Sequence, residues 1–563
     1  MFDKILVANR GEIAVRIMRT CRERQVASVA VFSDPDSGAR HVRMADEGAH
    51  LPGTSPADTY LNVEALIEAA HMTGAQAIHP GYGFLSENAD FADAVIGADL
   101  AWVGPPPDAT RAIGDKVRAR NIASSAGVPL VPGVLSAIES AELVYEFAAE
   151  HGYPVAVKAS GGGGGRGLKV AQSKDEVAEA FASARREAEA YFGSSDVYVE
   201  RYLEAPKHLE VQILAPNPDE AMWLGVRDCS LQRRHQKLVE ETPPPRWSER
   251  SAEMGQAAVS LSKACGYINA GTVEMLVDDE GSFYFLEVNA RLQVEHTVTE
   301  EVLGLDLVAC QLQIAAGDPL GFSQADIEAH MNGHAIECRI NAEDPSRGFL
   351  PAPGAISRYE EPSGLGVRVD SGYVAGDTIP DEYDSLVAKL IAWGNDREEA
   401  RMRMLRALGD FVIEGPQTTI AAHLLLLNDS TFVKGTHTTR TVEDSVVLSS
   451  LARSDDLEDD AGDFLLVEGR PVKLWHQSMS ASASAAVHGA LAPGGDLLAP
   501  MQGTIVKVLV EEGGKVETGD PMVLLEAMKM ETSLSAPRAG IVVELTAVPG
   551  QTAQSGQLLA RIE

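Results

Sequence analysis

The sequence predicts a multidomain protein, α/β and α+β for most of its length and all-β at its C-terminal end. Three observations carry that expectation. At 563 residues the chain is too long for one hydrophobic core and should divide into several domains. Up to about Gly114, short apolar runs alternate with helical patterns, as in a parallel sheet with helices packed on it. The tail is duplicated: at an offset of 37 positions Ala499-Pro500 falls on Ala536-Pro537, Gly503 on Gly540, Val506 on Val543, Gly513 on Gly550, Gly519 on Gly556 and Glu526 on Glu563.

Taken in order, Ile5–Ala8, Val29–Phe32, Ala77–His79 and Ala101–Val103 read as strands, with helices at Ile13–Arg24 and Val63–Met72. From Asp115 to about His330 the pattern is mixed. There an alternating segment, Pro154–Lys158, enters a glycine run and leaves it as Gly167–Val170. Gly333 to about Ser450 mixes strands and helices again. Residues 454–463 are acidic and turn-rich and 478–496 are rich in Ser, Ala and Gly, so both read as solvated linker. Between them Phe464–Trp475 forms either a small hairpin or a segment that packs on a partner. The two tail copies, 499–526 and 536–563, alternate apolar and polar residues between glycine turns, the period of half-buried strands. Lys529, in Ala527-Met528-Lys529-Met530, then falls at the turn joining the halves. A lone turn lysine is ordinarily a solvated surface group, but the duplication and the flanking methionines set this one apart.

Composition excludes several classes. A formal net charge of −35 repels a phosphate backbone, so no nucleic-acid partner is expected. No apolar run approaches membrane-spanning length, and the strand pattern beginning at Ile5 leaves no room for a signal peptide, so a cytoplasmic protein without membrane attachment is expected. Five scattered cysteines, Cys21, Cys229, Cys265, Cys310 and Cys338, suggest reduced thiols and no cysteine metal site.

The glycine run Gly161-Gly162-Gly163-Gly164-Gly165 is not a Walker A loop, since no Gly-Lys-Ser/Thr follows. It joins neighbouring strands where a linker would join domains, so it reads as a hairpin tip able to fold over a ligand. Backbone free of side chains brings several N–H groups onto phosphate oxygens, and Lys158 adds a cation. Glu274 and Glu287 sit in apolar strands; buried acids need a partner, and a divalent cation bridging phosphates is the simplest.

Ala527-Met528-Lys529-Met530, together with Ala499-Pro500-Met501-Gln502-Gly503, resembles the biotinyl (biotin carboxyl carrier) domain. That domain is a flattened β-barrel with biotin on the turn lysine; lipoyl domains share the barrel but lack the methionines. Residues 1–448 resemble biotin carboxylase, of the ATP-grasp superfamily. The matching motifs are Ala8–Ala14, His79–Asn88, the glycine run, Arg227-Asp228-Cys229-Ser230, Gln232–Lys237, Glu287–His296 and Glu337–Asp344.

The resemblance implies five segments. They are an N-terminal α/β domain (1–114), an ATP-grasp domain with a glycine-rich lid (115–330), a C-terminal carboxylase domain (331–448), a linker (449–496) and the carrier barrel (497–563). It also implies Lys116 and Lys158 on the ATP phosphates, with Gly162, Gly163, Gly164 and Gly165 in the lid. His208 and His235 would line the nucleotide pocket, and Glu200 with the backbone to Leu203 would surround adenine. Glu274, Glu287 and Asn289 would hold Mg²⁺ or Mn²⁺. Lys237, Arg291, Gln293 and the backbone at Val294 would bind bicarbonate, Glu295 would be its general base, and Arg339 would face the biotin ureido oxygen.

Residue chemistry agrees with those roles. Bicarbonate is a poor nucleophile until deprotonated, so a carboxylate beside cations is a sensible base, and Arg291 and Glu295 are close enough in sequence to converge. Attack on the γ-phosphate gives carboxyphosphate, with metal and lysines taking up developing charge.

Residues 449–496 are too few for a carboxyltransferase. The layout resembles the α subunit of bacterial acyl-CoA carboxylases. That implies a separate carboxyltransferase β subunit, modification by a biotin protein ligase, and a hetero-oligomer with self-associating carboxylase domains. Two other readings stay open: the biotin-carboxylating subunit of a split pyruvate carboxylase, or a carrier without activity of its own.

Overall fold

The computed structural model describes residues 1–445 apart from 135, 160–166 and 235; 448, 451, 463–467 and 470–474; and 495–563 apart from 501, 528, 529 and 555. The first sheet is parallel, with β1 (Lys4–Val7), β2 (Ala27–Phe32), β3 (Glu47–His50), β4 (Ala77–His79) and β5 (Ala101–Trp102) in the order β3-β2-β1-β4-β5. Ile5, Leu6 and Val7 are wholly buried because both faces of β1 are covered, and so they form a continuous apolar run. Helix α1 (Gly11–Glu23) buries Ile13, Ala14, Ile17, Met18 and Cys21, spaced to make one helical face. β3, Glu47-Gly48-Ala49-His50, is an exposed edge without an apolar run, which is why periodicity does not announce it.

β6 (Val155–Ala159), β7 (Leu168–Ala171) and β8 (Val197–Arg201) form a small antiparallel sheet. Lys158 stands opposite Leu168, so the glycine run does connect neighbouring antiparallel strands; Gly162, Gly163, Gly164 and Gly165 themselves lie outside the described residues.

The principal sheet has eight antiparallel strands. β9 (Lys207–Asn217), β10 (Glu220–Arg233), β11 (Gln236–Thr242), β12 (Asn269–Val277), β13 (Phe283–Asn289) and β14 (His334–Asn341) are joined by strands Val367–Ser371 and Leu386–Gly394. The order is β13-β12-β9-β10-β11-β14, then Leu386–Gly394 and Val367–Ser371. The sheet runs on across residue 330, since β11 pairs with β14 and β14 with Leu386–Gly394. In the linker region Asp463–Val467 pairs with Arg470–Leu474 as an antiparallel hairpin, one of the two arrangements expected there.

The C-terminal unit has two four-stranded sheets. One orders Asp496–Leu498, Leu558–Ile562, Gly540–Leu545 and Lys515–Val516; the other orders Met530–Ser535, Pro521–Ala527, Gly503–Val508 and Thr552–Ala553. The 37-residue offset carries each sheet onto the other, and each sheet takes strands from both copies. The halves are therefore interleaved around one core of Ile505, Val523, Leu525, Val542, Ala560 and Ile562, so neither copy has a core of its own. Ala527 pairs with Met530; Lys529, between them, lies outside the described residues.

Candidate active site

Register across the principal sheet puts four charged residues in one row on one face: Glu287 opposite Glu274, Glu274 opposite Glu210, and Glu210 opposite Arg227. Carboxylates placed directly opposite repel one another, and cations from other elements compensate. The Lys237 ammonium donates to Glu210 at 2.6 Å, Glu274 at 3.0 Å and Glu295 at 2.6 Å. Arg227, fully buried, reaches Glu210 at 2.5 Å and bonds also to Gln212, Thr272 and Thr299. His208 lies 3.1 Å from Glu274, and Lys116 lies 3.4 Å from Glu287.

Residues 291–295 form the turn between β13 and a helix at His296–Leu303, and Glu295 is the residue at that helix's N-terminal boundary. Its carboxylate is fully buried and accepts from Lys237 and, at 2.9 Å, from Arg339, which also donates to Glu240 at 2.6 Å. Arg291 makes its ion pair with Glu87 of the N-terminal unit, at 3.0 Å, and donates to Gln293 at 2.9 Å. Glu295 thus takes its direct cationic partners from β11 and β14, and proximity in sequence does not select them. Gln293 reaches Glu274 at 3.4 Å, and the Val294 carbonyl accepts from Lys389 at 2.7 Å. Towards the small sheet, buried Glu200 is paired with Lys158 and, at 3.0 Å, with Arg120; Leu203 follows two residues after β8. His235 lies outside the described residues.

Burial by itself would raise the pKa of Glu295, but Lys237, Arg339 and Arg227 outweigh it and hold the carboxylate well below its usual range. Glu274 is likewise held low against burial, by Lys237 and His208, and burial is outweighed at His208 by Glu274, which raises the imidazole. The opposite case lies behind Arg339. Burial pushes Glu240 up to about 8 and Glu337 up to about 7, Arg339 and Lys389 respectively pulling the other way. These two acids are opposed across β11 and β14, and each has one oxygen without a hydrogen bond among the described residues.

Their folded-state pKa values lie above the unfolded value of about 4.3, so the folded protein binds the extra protons. Their contribution to stability is complete below about pH 4 and is lost as pH rises through about 7–8. Glu337→Gln should therefore raise the thermal midpoint more at about pH 8.5 than at about pH 6, as calorimetry would measure; an equal shift at both pH values would refute a raised folded-state pKa at Glu337.

The donor set suits a hard divalent cation. Glu274 and Glu287 are register partners, and Asn289 donates to Glu274 at 2.8 Å, which places two carboxylates and an amide on neighbouring strands, oxygen donors of the kind that hold Mg²⁺ together with phosphate oxygens. Three charged residues of this region are ones that motif reading passes over. Glu210 stands between Leu209 and Val211, Lys389 lies within Leu386–Gly394, and Arg120 is on a helix remote in sequence from Glu200. A charge inside an otherwise apolar strand is the signal that marks the first two.

Comparison with known proteins identifies the family. The chain matches the biotin carboxylase N-terminal domain over residues 1–110, the carbamoyl-phosphate synthase L chain ATP-binding domain over 115–322, the biotin carboxylase C-terminal domain over 337–444 and the biotin-requiring enzyme domain over 495–562. It is 44% identical to the biotin-dependent acyl-coenzyme A carboxylase alpha3 subunit of Mycobacterium leprae, across 100% of this chain and 98% of that protein. It is 46% identical to a pyruvate carboxylase subunit of Methanothermobacter thermautotrophicus, over 77% of this chain and 88% of the relative. The biotin carboxylase domain of Hydrogenobacter thermophilus 2-oxoglutarate carboxylase, solved with MgADP and bicarbonate, superposes with a TM-score of 0.76 at 44% identity, covering 80% of this chain and 100% of that one. The chain belongs to the biotin-dependent carboxylases, as a biotin carboxylase of ATP-grasp fold followed by a biotinyl domain, and it uses ATP, Mg²⁺ and biotin.

Proposed function

We propose that this chain carboxylates biotin attached to its own Lys529 and passes the carboxyl group to a carboxyltransferase on a separate subunit that acts on an acyl-CoA. The observation that carries the acyl-CoA part is coverage: similarity to the alpha3 subunit spans the whole chain, carrier included, whereas the pyruvate carboxylase subunit matches only 77% of it. The five unpaired cysteines support a reducing, cytoplasmic setting.

In this reading Lys116 and Lys158 hold the ATP phosphates, His208 and the residues Glu200 to Leu203 hold the rest of the nucleotide, and Glu274, Glu287 and Asn289 hold Mg²⁺. The metal neutralises phosphate charge that the lysines leave uncompensated. Lys237, Arg291 and Gln293 orient bicarbonate, whose negative charge competes with Glu295 for Lys237. As Lys237 turns toward the anion, Glu295 loses part of the field that keeps its pKa low and becomes a better base for the bicarbonate proton. The oxyanion then attacks the γ-phosphate and displaces ADP; the carboxyphosphate so formed breaks down to CO₂ and phosphate, and the phosphate is left to accept the proton that the ureido nitrogen gives up. Biotin supplies the ureido nitrogen that accepts the carboxyl group. Arg339, released in part from Glu295 once that carboxylate has taken the bicarbonate proton, is placed to stabilise negative charge on an oxygen facing it.

The purified chain should hydrolyse ATP in the presence of bicarbonate and biotin, yet transfer no carboxyl group to any acyl-CoA. Addition of the matching β subunit should start transfer, and a panel of acyl-CoAs beside pyruvate identifies the acceptor. Transfer by this chain alone, or to pyruvate in preference, would overturn the reading of the chain as the α subunit of an acyl-CoA carboxylase.

A further inference from the structure

Lys389 stands at the middle of the apolar strand Leu386–Gly394 and is completely buried. Its register partners are Arg339 on one side and Asp370 on the other, and directly opposed residues share a sheet face, so Lys389 belongs to the same row as Arg339. Its ammonium donates to the Val294 carbonyl at 2.7 Å and lies 3.6 Å from Glu12 in the first turn of α1. Glu12 is buried too, and neither of its oxygens accepts a hydrogen bond among the described residues. α1 is pressed close to the strand region at this point: a Cβ on Gly372 would come within 2.7 Å of the Glu12 nitrogen. One side chain therefore connects the N-terminal unit, the 291–295 turn and the C-terminal strands.

We propose that Lys389 is a positioning residue for Glu295, an inference that rests on reading Glu295 as the base for bicarbonate. The peptide joining Val294 to Glu295 is planar, so a donor fixed on the Val294 carbonyl also fixes the plane of the Glu295 N–H and the direction in which its side chain departs. The hydrogen bond is charge-assisted, and its donor is anchored in a sheet, which limits drift of the turn when Lys237 and Arg339 shift toward ligands. Fold stability alone does not call for a lysine here. A buried ammonium is costly, and exchanging a buried ion pair for apolar side chains is often neutral or stabilising.

The test compares wild type, Lys389→Met and the double variant Glu12→Gln/Lys389→Met, all as the full biotinylated chain. Bicarbonate-dependent ATP hydrolysis, MgATP affinity and thermal midpoint are measured for each. Lys389→Met should lower kcat about 100-fold and raise the bicarbonate KM at least about tenfold, with MgATP affinity changed by no more than about twofold. The double variant, which removes the unpaired Glu12 carboxylate, should regain thermal stability without regaining turnover. Wild-type kcat and bicarbonate KM in Lys389→Met, or turnover recovering with stability in the double variant, would overturn the proposal. If Lys389→Met does not fold, the double variant decides by the same criterion; if neither folds, Lys389 is a folding determinant and the positioning role is rejected. Absence of bicarbonate dependence in wild type would instead refute the reading of Glu295 on which the inference rests.

Discussion

Glu295→Gln should lower kcat for bicarbonate-dependent ATP hydrolysis by about 10²–10⁴-fold while leaving MgATP binding nearly intact. The amide keeps the shape of the side chain and accepts one hydrogen bond, but it cannot take a proton. The fold should survive the change, because each cation that Glu295 pairs with has another carboxylate: Lys237 keeps Glu210 and Glu274, and Arg339 keeps Glu240. Glu287→Gln makes the contrast. That residue lies at the far end of the carboxylate row, beside Lys116, and its loss should weaken productive MgATP binding and leave bicarbonate KM alone. Steady-state kinetics in both substrates separate the two phenotypes. Near-normal turnover by Glu295→Gln, still dependent on bicarbonate, would remove Glu295 from the base role.

Lys529→Arg should abolish both biotinylation and carboxyl transfer in the complete complex, while carboxylation of free biotin continues. Attachment through an amide needs a primary amine, and a guanidinium does not replace it, although charge and length are nearly kept. The strands on either side, Pro521–Ala527 and Met530–Ser535, pair through to Ala527 and Met530, and this two-strand frame does not depend on the lysine. The substitution therefore removes the attachment point and keeps the barrel. Intact mass and a streptavidin blot on protein co-expressed with a biotin ligase settle the first part. A biotin label persisting on the arginine variant, or none on wild type, would overturn the carrier assignment.

Local pattern made the first sheet readable, because β1, β2 and β4 are buried on both faces and appear as short, mostly apolar runs. It also located the hairpin around the glycine run, since the short segments on either side of it, Pro154–Lys158 and Gly167–Val170, pair as β6 and β7. Edge strand β3 was not readable, having almost no buried face to leave a pattern. The site divides in the same way. Glu287, Arg291, Glu295 and Arg339 lie in dense local motifs and Glu274 in an apolar strand, so they could be named, whereas Glu210, Arg120 and Lys389 act through partners tens of residues away.

By itself the sequence determined the membership of the chain, the order of its units, the duplicated tail and the residue types needed to hold phosphate, metal and an activated anion. The tail and the order of the units depend on composition and short spacing, while membership and the expected site residues rest on the resemblance of local motifs. Only the tertiary structure decided which charges meet. Arg291 turned to Glu87, Glu295 took Lys237 and Arg339, and the two tail copies exchanged strands to share one core. The reason is that an ion pair's strength depends on separation and burial, and both follow from strand register, which brings residues far apart in sequence into one row.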